Sequence, residues 1–184
     1  MARYQNLTPE QMTSEQRAVV ENIAKGPRGS AVRGPFMAWL PSPRFADLAQ
    51  ALGAHTRFGS SLPAKHYEIA ILMVAKHWRA QFEWYAHAQI AEKAGIGKGI
   101  IEAIYKGEKP AAMDEQEAAI WTFAKELLQG RRVSEPTFQK AKALFGDKGV
   151  VDLVGVMGYY GLVSMTLNAF QVPLPEGEAP PFKE

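Results

Sequence analysis

The chain has 184 residues, 47% of them hydrophobic, which suits one domain with a sizeable core. Its net charge of +2 comes from scattered lysines and arginines, and this gives no push toward nucleic acid. Cysteine is absent, so disulfides, thiolate metal sites and thiol chemistry are excluded.

From Met1 to Glu15 the chain is polar, with no apolar signal core, and a cytoplasmic location is expected. Ser14 is placed to cap a first helix through Lys25, ended by Gly26. Residues 26–43 hold Gly26, Pro27, Gly29, Gly34, Pro35, Pro41 and Pro43, a composition that predicts irregular chain. The same segment carries Phe36, Met37, Trp39 and Leu40, so it should pack down on something. A helix follows from Arg44 to Leu52. Pro63 suits the first turn of the next, which runs to about Trp78. The helix after it ends at Gly95. Further helices are predicted near 97–106, 114–129, 134–145 and 149–169. The tail after Val172 is rich in proline and not helical. No strand-like alternation or repeat is present, and the expected fold class is all-α. The stretch Val150 to Phe170 is long enough to span a bilayer and holds one charge, Asp152. Gly155, Gly158, Gly161, Ser164 and Asn168 predict a buried or oligomer helix instead, and no membrane partner.

Two carboxylates stand where apolar residues belong. At about 100° per residue, Glu83 and His87 fall on the same side of their helix as Ala80, Trp84, Ala88, Ile90, Ala91 and Ala94. Gln81, Tyr85, Gln89, Glu92 and Lys93 fall on the other. The pair is four residues apart, so the two side chains sit one above the other. On the preceding helix Glu68 has Ala64, Ile71, Leu72 and Ala75 as its neighbours. A short connection lets the two helices pack as an antiparallel hairpin, which would turn Glu68 toward Glu83 and His87. Burying a carboxylate costs several kcal/mol unless it is paired, hydrogen-bonded or protonated. Two carboxylates and an imidazole in one low-dielectric place shift each other's pKa values strongly and make a plausible acid–base centre.

The order Glu68, then Glu83-x-x-x-His87, then Gly95-Ile96 and a new helix, resembles the carboxymuconolactone decarboxylase family of the AhpD-like superfamily. The thiol branch of that superfamily has a Cys-x-x-Cys-x-x-x-His run, and here Ala80 and Glu83 stand at the two cysteine positions. The likeness spans roughly 30–172 and includes Arg33-Gly34-Pro35-Phe36, the approach to Arg57, and Asn168-Ala169-Phe170. It divides the chain into an N-terminal helical extension (1–29), the family domain (30–172) and a proline-rich tail (173–184). It implies an AhpD-like helical bundle, assembled as a trimer or hexamer with sites near subunit boundaries, and a cofactor-free lyase or isomerase acting on a small carboxylated lactone or similar ring acid. His87 would donate a proton or act as electrophile. Glu83 would orient His87 or relay the proton. Glu68 would hold the other ring nitrogen or act as the second acid. A substrate carboxylate would go to an arginine, Arg57 first.

Other readings of the same residues stand beside this one. Glu68, Glu83 and His87 also suit a structural network tying helices together. They could ligate one divalent metal, but no second histidine lies at close spacing, and no metal is expected. Arg33 joins Arg57 as a candidate for substrate binding, since guanidinium suits bidentate carboxylate recognition. Trp39 and Trp84 are candidate substrate contacts, with core packing as the alternative for each. A non-catalytic small-molecule binder or interaction protein on the same scaffold is the rival function.

Overall fold

Helix α1 (Ser14–Lys25) is capped by Thr13, one residue before the expected Ser14. Thr13 Oγ1 accepts from the Gln16 N–H at 3.2 Å, and Gln16 Oε1 accepts from the Thr13 N–H at 2.9 Å, a reciprocal capping box. This computed structural model describes residues 2–29 and 32–183, which form helices and loops with no strand. After α1 come α2 (Pro35–Trp39), α3 (Pro43–Ala54), α4 (Ala64–Trp78), α5 (Gln81–Lys93), α6 (Lys98–Lys106), α7 (Glu115–Lys125) and α8 (Glu135–Ala169). The fold is all-α, as its sequence predicts.

Three elements differ from expectation in detail. The segment 26–43 is not wholly irregular, because Pro35 supplies a helical φ for α2. Gly34 before it takes φ 66° and lies so close to Phe82 that a Cβ would sit 3.3 Å from the ring. Helix α3 runs past Leu52 and widens into a π-helical turn, His55–Gly59. Helix α7 does the same at Glu126–Gly130. The two helices expected over 134–169 are present, divided at Gly146, whose φ of 70° only glycine adopts readily. α8 has the length and hydropathy of a membrane span, yet much of it is buried against α4 and α7.

Helix α4 is the axis of the bundle, packing on α5, α6, α7 and α8. Its residues 69–72, with Val74 and Ala75, have no solvent exposure. It ends at Arg79, which takes a left-handed conformation (φ 50°). The Arg79 N–H donates to the Lys76 carbonyl and the Ala80 N–H to the Ala75 carbonyl, a Schellman pair that reverses the chain in two residues. This turn makes α4 and α5 the expected hairpin, and it sets Glu68 against the inner face of α5.

Candidate functional site

The hairpin brings Glu68, Glu83 and His87 into contact. His87 Nδ1 lies 2.7 Å from Glu68 Oε2, and His87 Nε2 lies 3.0 Å from Glu83 Oε1. All three side chains are buried, Glu68 completely. Glu68 Oε1 has no hydrogen-bond partner among the described residues. Burial on its own would depress the His87 pKa. The charges of Glu83 and Glu68, and their hydrogen bonds, reverse this and raise it from 6.5 to about 9. At neutral pH the ring is therefore an imidazolium donating from both nitrogens, the only state in which it can satisfy two carboxylates.

Glu83 and His87 form part of one wall of a cleft of about 540 Å³, with Glu68 behind them. Tyr160 of α8 completes this wall, its ring meeting His87 edge to face at 4.9 Å. Besides His87, the cleft wall carries Arg28, Arg33, Arg57 and Lys93, against the single carboxylate of Glu83. An anionic ligand is favoured there. The other walls are apolar or aromatic, including Phe36, Phe58 and Phe82.

Arg57 and Arg33, both predicted from sequence, line this cleft. Arg57 sits on the π-turn after α3, and Asp152 of α8 fixes the chain just beyond it. Asp152 Oδ2 accepts from the Ser61 N–H at 2.7 Å and from Ser61 Oγ at 2.6 Å. Burial would raise the Asp152 pKa, but these bonds outweigh it and hold the carboxyl below its usual range. Trp39 and Trp84 are corrections to the sequence reading, since neither lines the cleft. Trp39 is buried beneath it, donating from Nε1 to Thr166 Oγ1 at 2.9 Å. Trp84 faces away, against Tyr105 and Phe182. An aromatic on an apolar helix face fits a core as well as a ligand clamp, and here the core has both.

Among the cleft residues that escape the sequence reading are Arg28, Tyr159 and Tyr160. The tyrosine pair carried a usable signal, two hydroxyls in the middle of an apolar helix, of the same kind that marks Glu68. Arg28 carried none, lying in a Pro-Arg-Gly stretch without periodicity. Both nitrogens of His87 are taken by carboxylates, which leaves the ring no lone pair for a metal. Among the described residues no group of three His, Asp or Glu side chains is arranged to share one.

No protein-family model matches the chain, and no curated protein does. Solved structures do. One is the alkylhydroperoxidase AhpD core of an uncharacterised peroxidase-related protein from Ralstonia eutropha JMP134, at 15% identity and TM-score 0.77, covering 95% of this chain and 93% of that one. Another is a protein of unknown function from Agrobacterium tumefaciens, described as a candidate antioxidant defence protein AhpD, at 15% identity and TM-score 0.67, covering 78% of this chain and 99% of that one. At this identity the likeness is one of architecture, and the chain has the AhpD-like all-helical fold.

Proposed function

We propose that this protein is a cofactor-free acid–base enzyme, a lyase or isomerase acting on a small cyclic carboxylic acid, with a carboxylated lactone of the carboxymuconolactone type as the leading candidate. The observation that carries this reading is a buried imidazole held between two glutamates on the wall of a cation-lined cleft. In decarboxylation of such a lactone, the electron pair of the breaking C–CO₂ bond moves through the ring onto the lactone carbonyl as a dienolate. A proton must then reach the α carbon. Both N–H groups of His87 are already engaged, so the proton passes from His87 Nε2 to Glu83, and from Glu83 to substrate. His87 is left neutral, still donating from Nδ1 to Glu68, and recovers its proton from solvent. Arg57 holds the acid group, and Arg33 adds positive charge to the same cleft. The acting assembly is a homo-oligomer.

One observation favours a second reading. Every N–H of His87 is satisfied internally, as a purely structural network would require, and the scaffold would then be a binder. Two variants measured twice separate the readings. On the enzymatic reading, His87→Gln and Glu83→Gln each lower turnover of an unsaturated lactone carboxylic acid by roughly 10²-fold or more while the fold survives. On the structural reading both variants lose several kcal/mol of stability, and wild-type protein turns over nothing in a panel of such acids.

Thiol peroxidase chemistry is a separate matter. It needs a thiolate nucleophile, and the chain has none. Dithiothreitol-driven reduction of alkyl or hydrogen peroxide should not exceed that of heat-killed protein, and turnover surviving metal removal would overturn this.

A further inference from the structure

Two of the cleft arginines meet over one ring. Arg28, on the segment that leaves α1, has Cζ 6.0 Å from the Phe58 centroid, and Arg57 has Cζ 5.2 Å from it. Arg28 Cζ also lies 5.1 Å from the Phe36 centroid. A cation–π contact of this kind does not use up the N–H edges of a guanidinium. Those edges are unmet: Arg28 Nε and Nη2 and Arg57 Nε are buried, with no acceptor among the described residues. Buried donors without acceptors are costly. An oxyanion within reach of them removes that penalty.

A third donor converges on the same place. α3 passes close to α8 at Gly53, where a Cβ would fall 2.1 Å from the Tyr159 hydroxyl and 2.6 Å from Arg28 Nη2. Only glycine leaves room for that approach. Burial pushes the Tyr159 hydroxyl up to about 12, against the pull of Arg28 and Arg57, so it stays a neutral donor at physiological pH.

We propose that Arg28, Arg57 and the Tyr159 hydroxyl form a subsite for a carboxylate carried on an apolar ring, with Phe36 and Phe58 flanking that ring. Arg28 makes the N-terminal extension part of the binding site and not merely a support for it. This rests on the acid–base reading above: the subsite fixes the acid group, and Glu83 and His87 act on the ring.

Calorimetric titration at fixed ionic strength tests it, with benzoate, benzamide and inorganic phosphate as probes. Wild-type protein should bind benzoate and bind benzamide and phosphate about tenfold or more weakly. Arg28→Met and Arg57→Met should each weaken benzoate binding by about tenfold or more, the loss expected for a charge-assisted hydrogen bond. Arg28→Lys, which keeps charge and loses the planar fork, should fall between. Circular dichroism checks each fold, and if Arg28→Met does not fold, Arg57→Met decides. The inference is overturned if wild-type protein ignores benzoate, if benzamide or phosphate binds as well, or if a folded arginine variant binds benzoate as wild type does. Benzoate binding that depends on both arginines, in a protein that turns over no ring acid, keeps the subsite and removes the enzyme. Turnover of a ring acid, with benzoate binding indifferent to both substitutions, does the reverse.

Discussion

His87 can donate to Glu68 and Glu83 together only when it carries its second proton. That requirement links the site to stability. The folded-state pKa of about 9 stands above the ordinary histidine value of 6.5, so the folded protein holds this proton more tightly than the unfolded chain. The resulting stabilisation is complete below pH 6.5, falls as pH rises toward 9, and is gone above that. The melting temperature of wild-type protein should therefore drop across this window, by an amount reflecting a few kcal/mol. His87→Gln should lack that component, and parallel pH curves for the two proteins would contradict the assignment. The residues of this triad were legible in sequence because each broke a pattern, a charge on an apolar helix face. Trp39 and Trp84 broke none. Their burial in the core obeys the same apolar periodicity that a ligand contact would show. Arg28 reaches the cleft through chain geometry that no local pattern encodes.

At the scale of elements, helix positions follow from caps and breakers that sequence displays, such as Pro63, Gly95 and Gly146. What it does not display is how helices widen at their ends. The π-turn at His55–Gly59 is such a case, and it carries Arg57. The C-terminal tail is another element whose role needed three dimensions. Its prolines predict only the absence of helix. In the structure Phe182 is 2% exposed, stacked flat on Tyr105 at 5.5 Å and edge-on to Trp84 at 5.4 Å. Lys76 and Arg79 approach the Phe182 ring at 5.3 and 5.6 Å. Gln81 clamps its backbone, donating from Nε2 to the Phe182 carbonyl at 2.7 Å and accepting from its N–H at 2.8 Å. The strap that leads to this anchor passes the cleft, where Pro175 forms part of the wall. Phe182→Ala should destabilise the protein by roughly 3 kcal/mol, near the usual cost of emptying a buried aromatic site. Urea unfolding followed by tryptophan fluorescence reads this directly. An unchanged midpoint would mean that the tail is an ornament on an independently stable bundle.

For the whole molecule, the proline-rich segment carries Phe36 and Trp39 and the tail carries Leu174 and Phe182, apolar residues that irregular chain tends to leave exposed. The bundle covers much of this set itself, with Trp39 and Phe182 buried within one chain. Exposed apolar rows lie elsewhere. On α3, Phe45, Leu48 and Leu52 follow helical spacing and are 42%, 54% and 48% exposed. On α8, Val151, Val154 and Met165 are exposed in the same way, and Gly155 and Gly158 between them have nothing within 4 Å of a built Cβ. Rows of apolar side chains with bare glycines among them allow two helices to approach closely, and contiguous apolar surface of this kind marks interaction sites. The α3 row precedes the π-turn of Arg57, so association there would also brace the cleft. Light scattering at micromolar concentration should give the mass of a trimer or hexamer. Leu48→Glu and Val154→Glu, each placing a charge in one of these rows, should shift that mass downward with little loss of helix content. A monomer mass for wild-type protein would contradict assembly. A wild-type oligomer unmoved by either substitution would place its interface on another face.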